Sequence, residues 1–197
     1  MNAPAIPGAD VSARVEHRAR DAGAAIAVAL AGLVVLLARP FVGGLPGGRV
    51  ALFACAYVTI GLAAVAVPVA TEWPRLAPSI VLGLGLVSIA ISALVAGPPV
   101  PAPWTNAALP LSLLAAVAEE ALFRRVLYAR LLRLGAVVAI TITAVVFALV
   151  HLPAYGTAAI PVDLGAGLLF GWQRWASGTW TTPAITHGAA NVLAVLR

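Results

Sequence analysis

Lysine is missing from this chain, and charge of either sign is scarce: twelve arginines, seven acidic residues and three histidines are spread over 197 positions. Charged residues make up 10% of the sequence, where a soluble domain carries roughly 25%. So few charges cannot cover a water-facing surface of this size, which excludes a sizeable soluble domain. There is one cysteine, Cys55, inside an apolar run, so no intramolecular disulfide can form and redox chemistry is not expected. The formal charge of +5 comes without a basic stripe studded with aromatics, and nucleic acid is therefore not an expected partner. No internal repeat or low-complexity segment stands out.

What the chain has in abundance is apolar length. Hydrophobic residues account for 62% of it, in runs that approach the roughly 20 residues needed to cross a bilayer. Seven spans are expected, at 22–38, 50–71, 77–96, 107–133, 136–152, 158–174 and 180–196. The fold class read from this pattern is all-α, a polytopic transmembrane helix bundle. Its divisions are a polar N-terminal tail (1–21), three N-terminal transmembrane helices (22–106) and a four-helix unit (107–197). The first run ends in Leu37-Ala38-Arg39-Pro40 without a small-x-small cleavage site, so an uncleaved span is expected rather than a signal peptide.

Punctuation fits these spans. Breaks fall at Gly43-Gly44, Pro46-Gly47-Gly48, Glu72-Trp73-Pro74-Arg75 and Gly97 through Pro103, and Gly135 suits the position just past a helix end. Trp73, Trp104, Trp172, Trp175 and Trp180 stand at or near span ends, as an aromatic belt would. Gly167 and Gly171 form a small-xxx-small pair that allows close helix packing. With the N-terminus in the cytoplasm, Arg14, Arg18, Arg20, Arg75, Arg130, Arg133 and Arg174 lie inside and Arg39, Arg49 and Arg197 outside. That bias supports a cytoplasmic N-terminus. Arg125 and Arg130 read as snorkelling or headgroup contacts, Asp163 as interfacial, and His17 as a solvated tail residue.

Ionisable groups within apolar spans cost about 2.5–3.5 kcal/mol each at mid-helix, so the ones present here are informative. Glu119 and Glu120 are adjacent in the fourth span, His151 closes the fifth, and His187 and Asn191 lie in the seventh. Glu120 and Arg124 are four apart and share a helix face, which predicts an ion pair. Glu119 is rotated by about 100° from its neighbour and cannot share that partner; it is the better proton acceptor. His187 and Asn191, also four apart, project together. If the fourth and fifth spans turn near Leu134, Glu119 and His151 both lie roughly 22–26 Å from the turn at about 1.5 Å per residue. They reach one level. Asn191 comes within about one helical turn of it, and His187 falls lower.

In order along the chain these residues give Glu119-Glu120 with Arg124, Phe147 with His151, and His187 with Asn191. The set resembles the CAAX-protease and bacteriocin-processing (CPBP, or Abi) intramembrane proteases, whose motifs are Glu-Glu-x-x-x-Arg, Phe-x-x-x-His and His-x-x-x-Asn/Asp on successive helices. The resemblance covers about residues 107–197, which become a CAAX-protease-like catalytic core. It implies hydrolysis of a peptide bond in a membrane-embedded or membrane-delivered peptide. Glu119, His151, His187 and Asn191 are the implied catalytic residues, with Glu120, Arg124 and Phe147 supporting. Two mechanisms are implied. In one, Glu119 and His151 activate water while His187 and Asn191 hold the oxyanion. In the other, Glu119, His151 and His187 bind zinc; no His-Glu-x-x-His helix is present, and glutamate-dependent water activation is preferred. A catalytically idle scaffold or immunity factor is the alternative reading. A small transporter is a weaker one, because no inverted repeat or pair of broken helices is evident.

Overall fold

The computed structural model describes residues 7–42, 49–95 and 108–196. The glycine-rich break at 43–48, the proline-rich stretch at 97–103 and Trp104 lie outside the described residues, as does the His17 side chain. Seven helical rods account for most of the described chain: α1 (Pro7–Val42), α2 (Arg49–Ala66), α3 (Pro78–Val95), α4 (108–134), α5 (Ala136–Tyr155), α6 (Ile160–Ser177) and α7 (Thr181–Leu196). No strand occurs among the described residues. The all-α expectation holds.

Boundaries differ from the sequence expectation where local chemistry outweighs hydropathy. The first helix begins at Pro7, not near residue 22, so much of the expected polar tail is helical. Proline suits a first helical turn, and the Ala, Arg and Glu that follow are good helix formers. The second helix stops at Ala66 instead of reaching 71, because Pro68 disfavours helical backbone at the residue before it. The fifth runs through Pro153 to Tyr155 and ends at Gly156, whose φ of 75° is open to glycine.

The fourth rod is not uniform. An α-helical stretch, Ala108–Glu120, passes directly into a π-helical segment, Ala121–Leu127, then a short α turn and a 3₁₀ turn. The Tyr128 amide donates to the Phe123 carbonyl five residues back. Such widened turns are uncommon and frequently sit at functional sites. This one starts immediately after Glu119-Glu120.

The closest helix pairing is α5 against α6. A Cβ on Gly167 would stand 2.8 Å from the Ala144 Cα, and one on Gly171 would stand 3.0 Å from Ile140 Cγ2. The glycine pair therefore performs the packing expected of it. Around this pair, α4 packs on α7 and α2, and α7 on α3. Gln173, fully buried, ties three helices by donating to the Val81 carbonyl at 3.1 Å and to Thr186 Oγ1 at 2.9 Å. Gly85 leaves the room that side chain fills.

Arginines expected at headgroups instead clamp backbone. Arg125 Nη1 donates to the carbonyls of Ala64 and Val67 at 2.8 and 2.5 Å, capping the end of α2. Arg130 reaches the carbonyls of Asp21 and Pro68. Arg174, expected at the cytoplasmic end of a span, is buried, paired with Glu72 at 2.5 Å and bonded to the Arg124 carbonyl at 3.0 Å. Long side chains meet backbone carbonyls and a carboxylate inside the bundle here, and hydrogen bonds from a charged group are the stronger kind.

Among the described residues, two helices, α3 and α5, are long and apolar enough to cross a membrane. Only 11% of the α3 span is buried in the protein, and Ile80, Val87, Ile91 and Leu94 face outward.

Candidate active site

Three helices bring together the polar residues that the sequence singles out. Glu119 and Glu120 are buried in α4, His151 in α5 and His187 in α7. Because the two acids are neighbours on one helix, they face different partners, as their rotation about the axis requires. Glu120 accepts from Arg124 Nε at 3.0 Å, with both side chains fully buried. It also accepts from His187 Nδ1 at 3.1 Å. The expected intrahelical pair is present, and the imidazole is an added partner that spacing could not reveal.

Glu119 looks elsewhere. Its Oε1 is 2.8 Å from Arg39 Nη1, and its Oε2 is 3.6 Å from His151 Nε2. His151 donates its Nδ1 proton to the Phe147 carbonyl at 2.7 Å. In the neutral ring that bond leaves Nε2 as a lone pair aimed at the carboxylate. The equal depth expected for Glu119 and His151 is met. His187, expected lower, is level enough to bond Glu120.

Phe147 holds these groups in place. Its ring lies 4.5 Å from the His151 ring, 5.6 Å from His187, 5.5 Å from Phe123 and 6.1 Å from Phe170. The Arg124 guanidinium stands 5.5 Å over the same ring. That contact accounts for its two buried nitrogens without hydrogen bonds, since an aromatic face attracts a cation. Tyr155, one turn beyond His151, stacks on its other side at 5.7 Å.

These residues line a cavity of about 440 Å³ whose walls include Arg39, Tyr57, Glu119, His151, His187 and Asn191, within the size range of ligand sites. Asn191 donates one Nδ2 proton to the Ser112 carbonyl at 2.8 Å, which leaves its second N–H for another acceptor. Glu119, His151 and His187 do not converge as a metal site: among the described residues no group of three or more His, Cys, Asp or Glu is placed to hold a metal ion.

The residue that sequence reasoning missed is Arg39. It closes an apolar run before Pro40, and in sequence it reads as a charge at a membrane boundary. The unpaired charge of Glu119 was the only available signal, since a buried carboxylate needs a cation or a proton. Arg39 also bonds Tyr57 at 3.4 Å, so α1 and α2 both contribute to the site.

Residues 101–193 match the family model described as Rce1-like, type II CAAX prenyl endopeptidase Rce1-like. No curated protein and no solved structure matches the chain. Arg39 and Tyr57 lie outside the matched segment, which contains all three motifs. Residues 101–193 are thus similar to the Rce1-like type II CAAX prenyl endopeptidases, the group that the three motifs resemble.

Proposed function

We propose that this chain is a membrane-embedded endopeptidase that hydrolyses a peptide bond by glutamate-activated water. The likeness of residues 101–193 to the Rce1-like endopeptidases supports protease activity in general, and the outward apolar surface of α3 supports a lipid setting. The observation that carries the mechanism is the pair Glu119 Oε2 and His151 Nε2, two acceptors 3.6 Å apart on a cavity wall. Two acceptors facing each other call for a molecule with two donors. A water hydrogen-bonded to both would turn its lone pairs toward a substrate carbonyl.

The water oxygen attacks the carbonyl carbon, and its proton passes to Glu119. The oxyanion forms beside His187 and Asn191. Asn191 offers its free N–H. His187 is held beside it through its Nδ1 bond to Glu120. When the carbon–nitrogen bond breaks, Glu119 returns its proton to the leaving amine. Stabilisation of developing charge by preset donors is worth about 3–4 kcal/mol per donor in such sites. Arg39 acts through Glu119, fixing the carboxylate that accepts the proton.

The test is cleavage of membrane-associated peptides by purified protein in nanodiscs, wild type against Glu119→Gln. Cleavage that depends on Glu119 supports the reading. Equal cleavage by both proteins removes it.

A further inference from the structure

A second cavity, of about 430 Å³, shares His151, Tyr155, His187, Asn191 and Ala194 with the first but not Arg39 or Glu119. It is bounded by α3, α5, α6 and α7, and most of its wall is apolar: Ile89, Ala93, Val162, Ala166, Phe170 and Leu193. Asp163, in the first turn of α6, is its acidic residue. The Asp163 Oδ2 atom is cut off from solvent and has no hydrogen-bond partner. Among the described residues no arginine lines this cavity. Of its two histidines, His151 donates Nδ1 to Phe147 and His187 bonds Glu120.

An apolar tube with a carboxylate acceptor in its wall has a distinctive complement. A purely aliphatic occupant would leave the Asp163 oxygen unsatisfied, and an acidic one would be repelled. A lysine or arginine side chain places its methylene stem on the apolar wall and its charged head on the carboxylate. We propose that this cavity is a subsite for a basic side chain of the peptide substrate, with Asp163 as its specificity determinant; the proposal rests on the protease reading. Because the cavity shares His187 and Asn191 with the reaction cavity, a basic residue held there anchors the chain next to the bond being cut.

The test separates binding from chemistry. Fluorescein-labelled apolar peptides carrying lysine, norleucine or glutamate at one scanned position are titrated against Glu119→Gln protein in detergent. At the position that reaches the subsite, the lysine peptide should bind about 10- to 100-fold more tightly than its norleucine counterpart. Asp163→Asn in the same background should erase that difference while norleucine peptides bind as before, which also reports an intact fold. Asp163→Lys should reverse the preference toward glutamate. Equal affinities at every position, or a lysine preference that survives Asp163→Asn, would overturn the proposal. Cleavage of the same peptides by wild-type protein is scored separately. Lysine-selective binding with no cleavage would retain the subsite and remove the protease reading.

Discussion

Arg39 in the last turn of α1 and Glu119 in α4 form an ion pair at 2.8 Å although 80 positions separate them in sequence. The pair joins a helix outside the family-matched segment to the carboxylate proposed to accept the water proton. Arg39→Ala should lower kcat by about 10- to 100-fold, the range for a lost hydrogen bond to a charged group. KM should stay nearly constant, because Arg39 acts through Glu119. Arg39→Lys should restore part of the rate. Steady-state kinetics on one cleavable peptide check all three, and an unaltered kcat in Arg39→Ala would show the pair to be structural only.

Glu119→Gln keeps the shape of the side chain but cannot take a proton. A positioned general base contributes about 10²–10⁴-fold, so kcat should fall by that factor with the melting temperature essentially retained. His151→Gln should give a comparable loss, since the same water contacts both residues. Single-turnover cleavage and thermal unfolding in one preparation separate lost chemistry from lost fold.

The Glu120–Arg124 pair is fully buried, and removing one partner strands the other. Arg124→Met alone should destabilise the protein by about 3–5 kcal/mol, whereas Glu120→Gln with Arg124→Met should cost less than the two single changes added together. Glu120 also holds His187, so Glu120→Gln should slow turnover even where the fold survives. A double-mutant cycle of unfolding free energies measures the coupling, and strict additivity would contradict it.

Gly167→Val places a branched side chain against the Ala144 backbone, where even a Cβ would lie 2.8 Å from Cα. Overpacking of this kind costs about 1–3 kcal/mol, and α5 carries His151. The variant should melt earlier and lose activity together. Gly165→Val, where no atom lies within 4 Å of a built Cβ, serves as the control with a near-wild-type melt.

Chelation gives a further check. The donor geometry around Glu119, His151 and His187 does not form a metal site among the described residues, so extended treatment with 1,10-phenanthroline should leave hydrolysis intact. Inhibition that zinc reverses would overturn the water-activation mechanism.

The helices were readable because apolar runs of spanning length leave few alternatives, and the Glu120–Arg124 pair because an i,i+4 spacing fixes a shared face. Other features arise only when helices meet. Arg39 at the end of one run looks like any boundary arginine until α4 is beside it. Arg125 and Arg130 look like headgroup contacts, and Arg174 like a span-end charge, until neighbouring elements present carbonyls and a carboxylate to them. The π segment is invisible for a different reason: Ala121-Leu122-Phe123-Arg124-Arg125-Val126-Leu127 is an ordinary helical sequence, and its wider winding reflects how both ends of the rod are held.

That winding has a consequence for how the protein tolerates change. Upstream of 121–127 the rod aims its acids into the cavity, and from within it Arg125 grips the end of α2 while the Arg124 carbonyl receives Arg174. Rewinding this stretch to regular α-helical bonding at unchanged length would turn one half against the other by about 100°. Either the acids would swing off His151 and His187, or the arginine grips would be pulled from their carbonyls. The site's aim and the bundle's clamps are geared together through the winding of seven residues, so what this short stretch has to keep is its pitch.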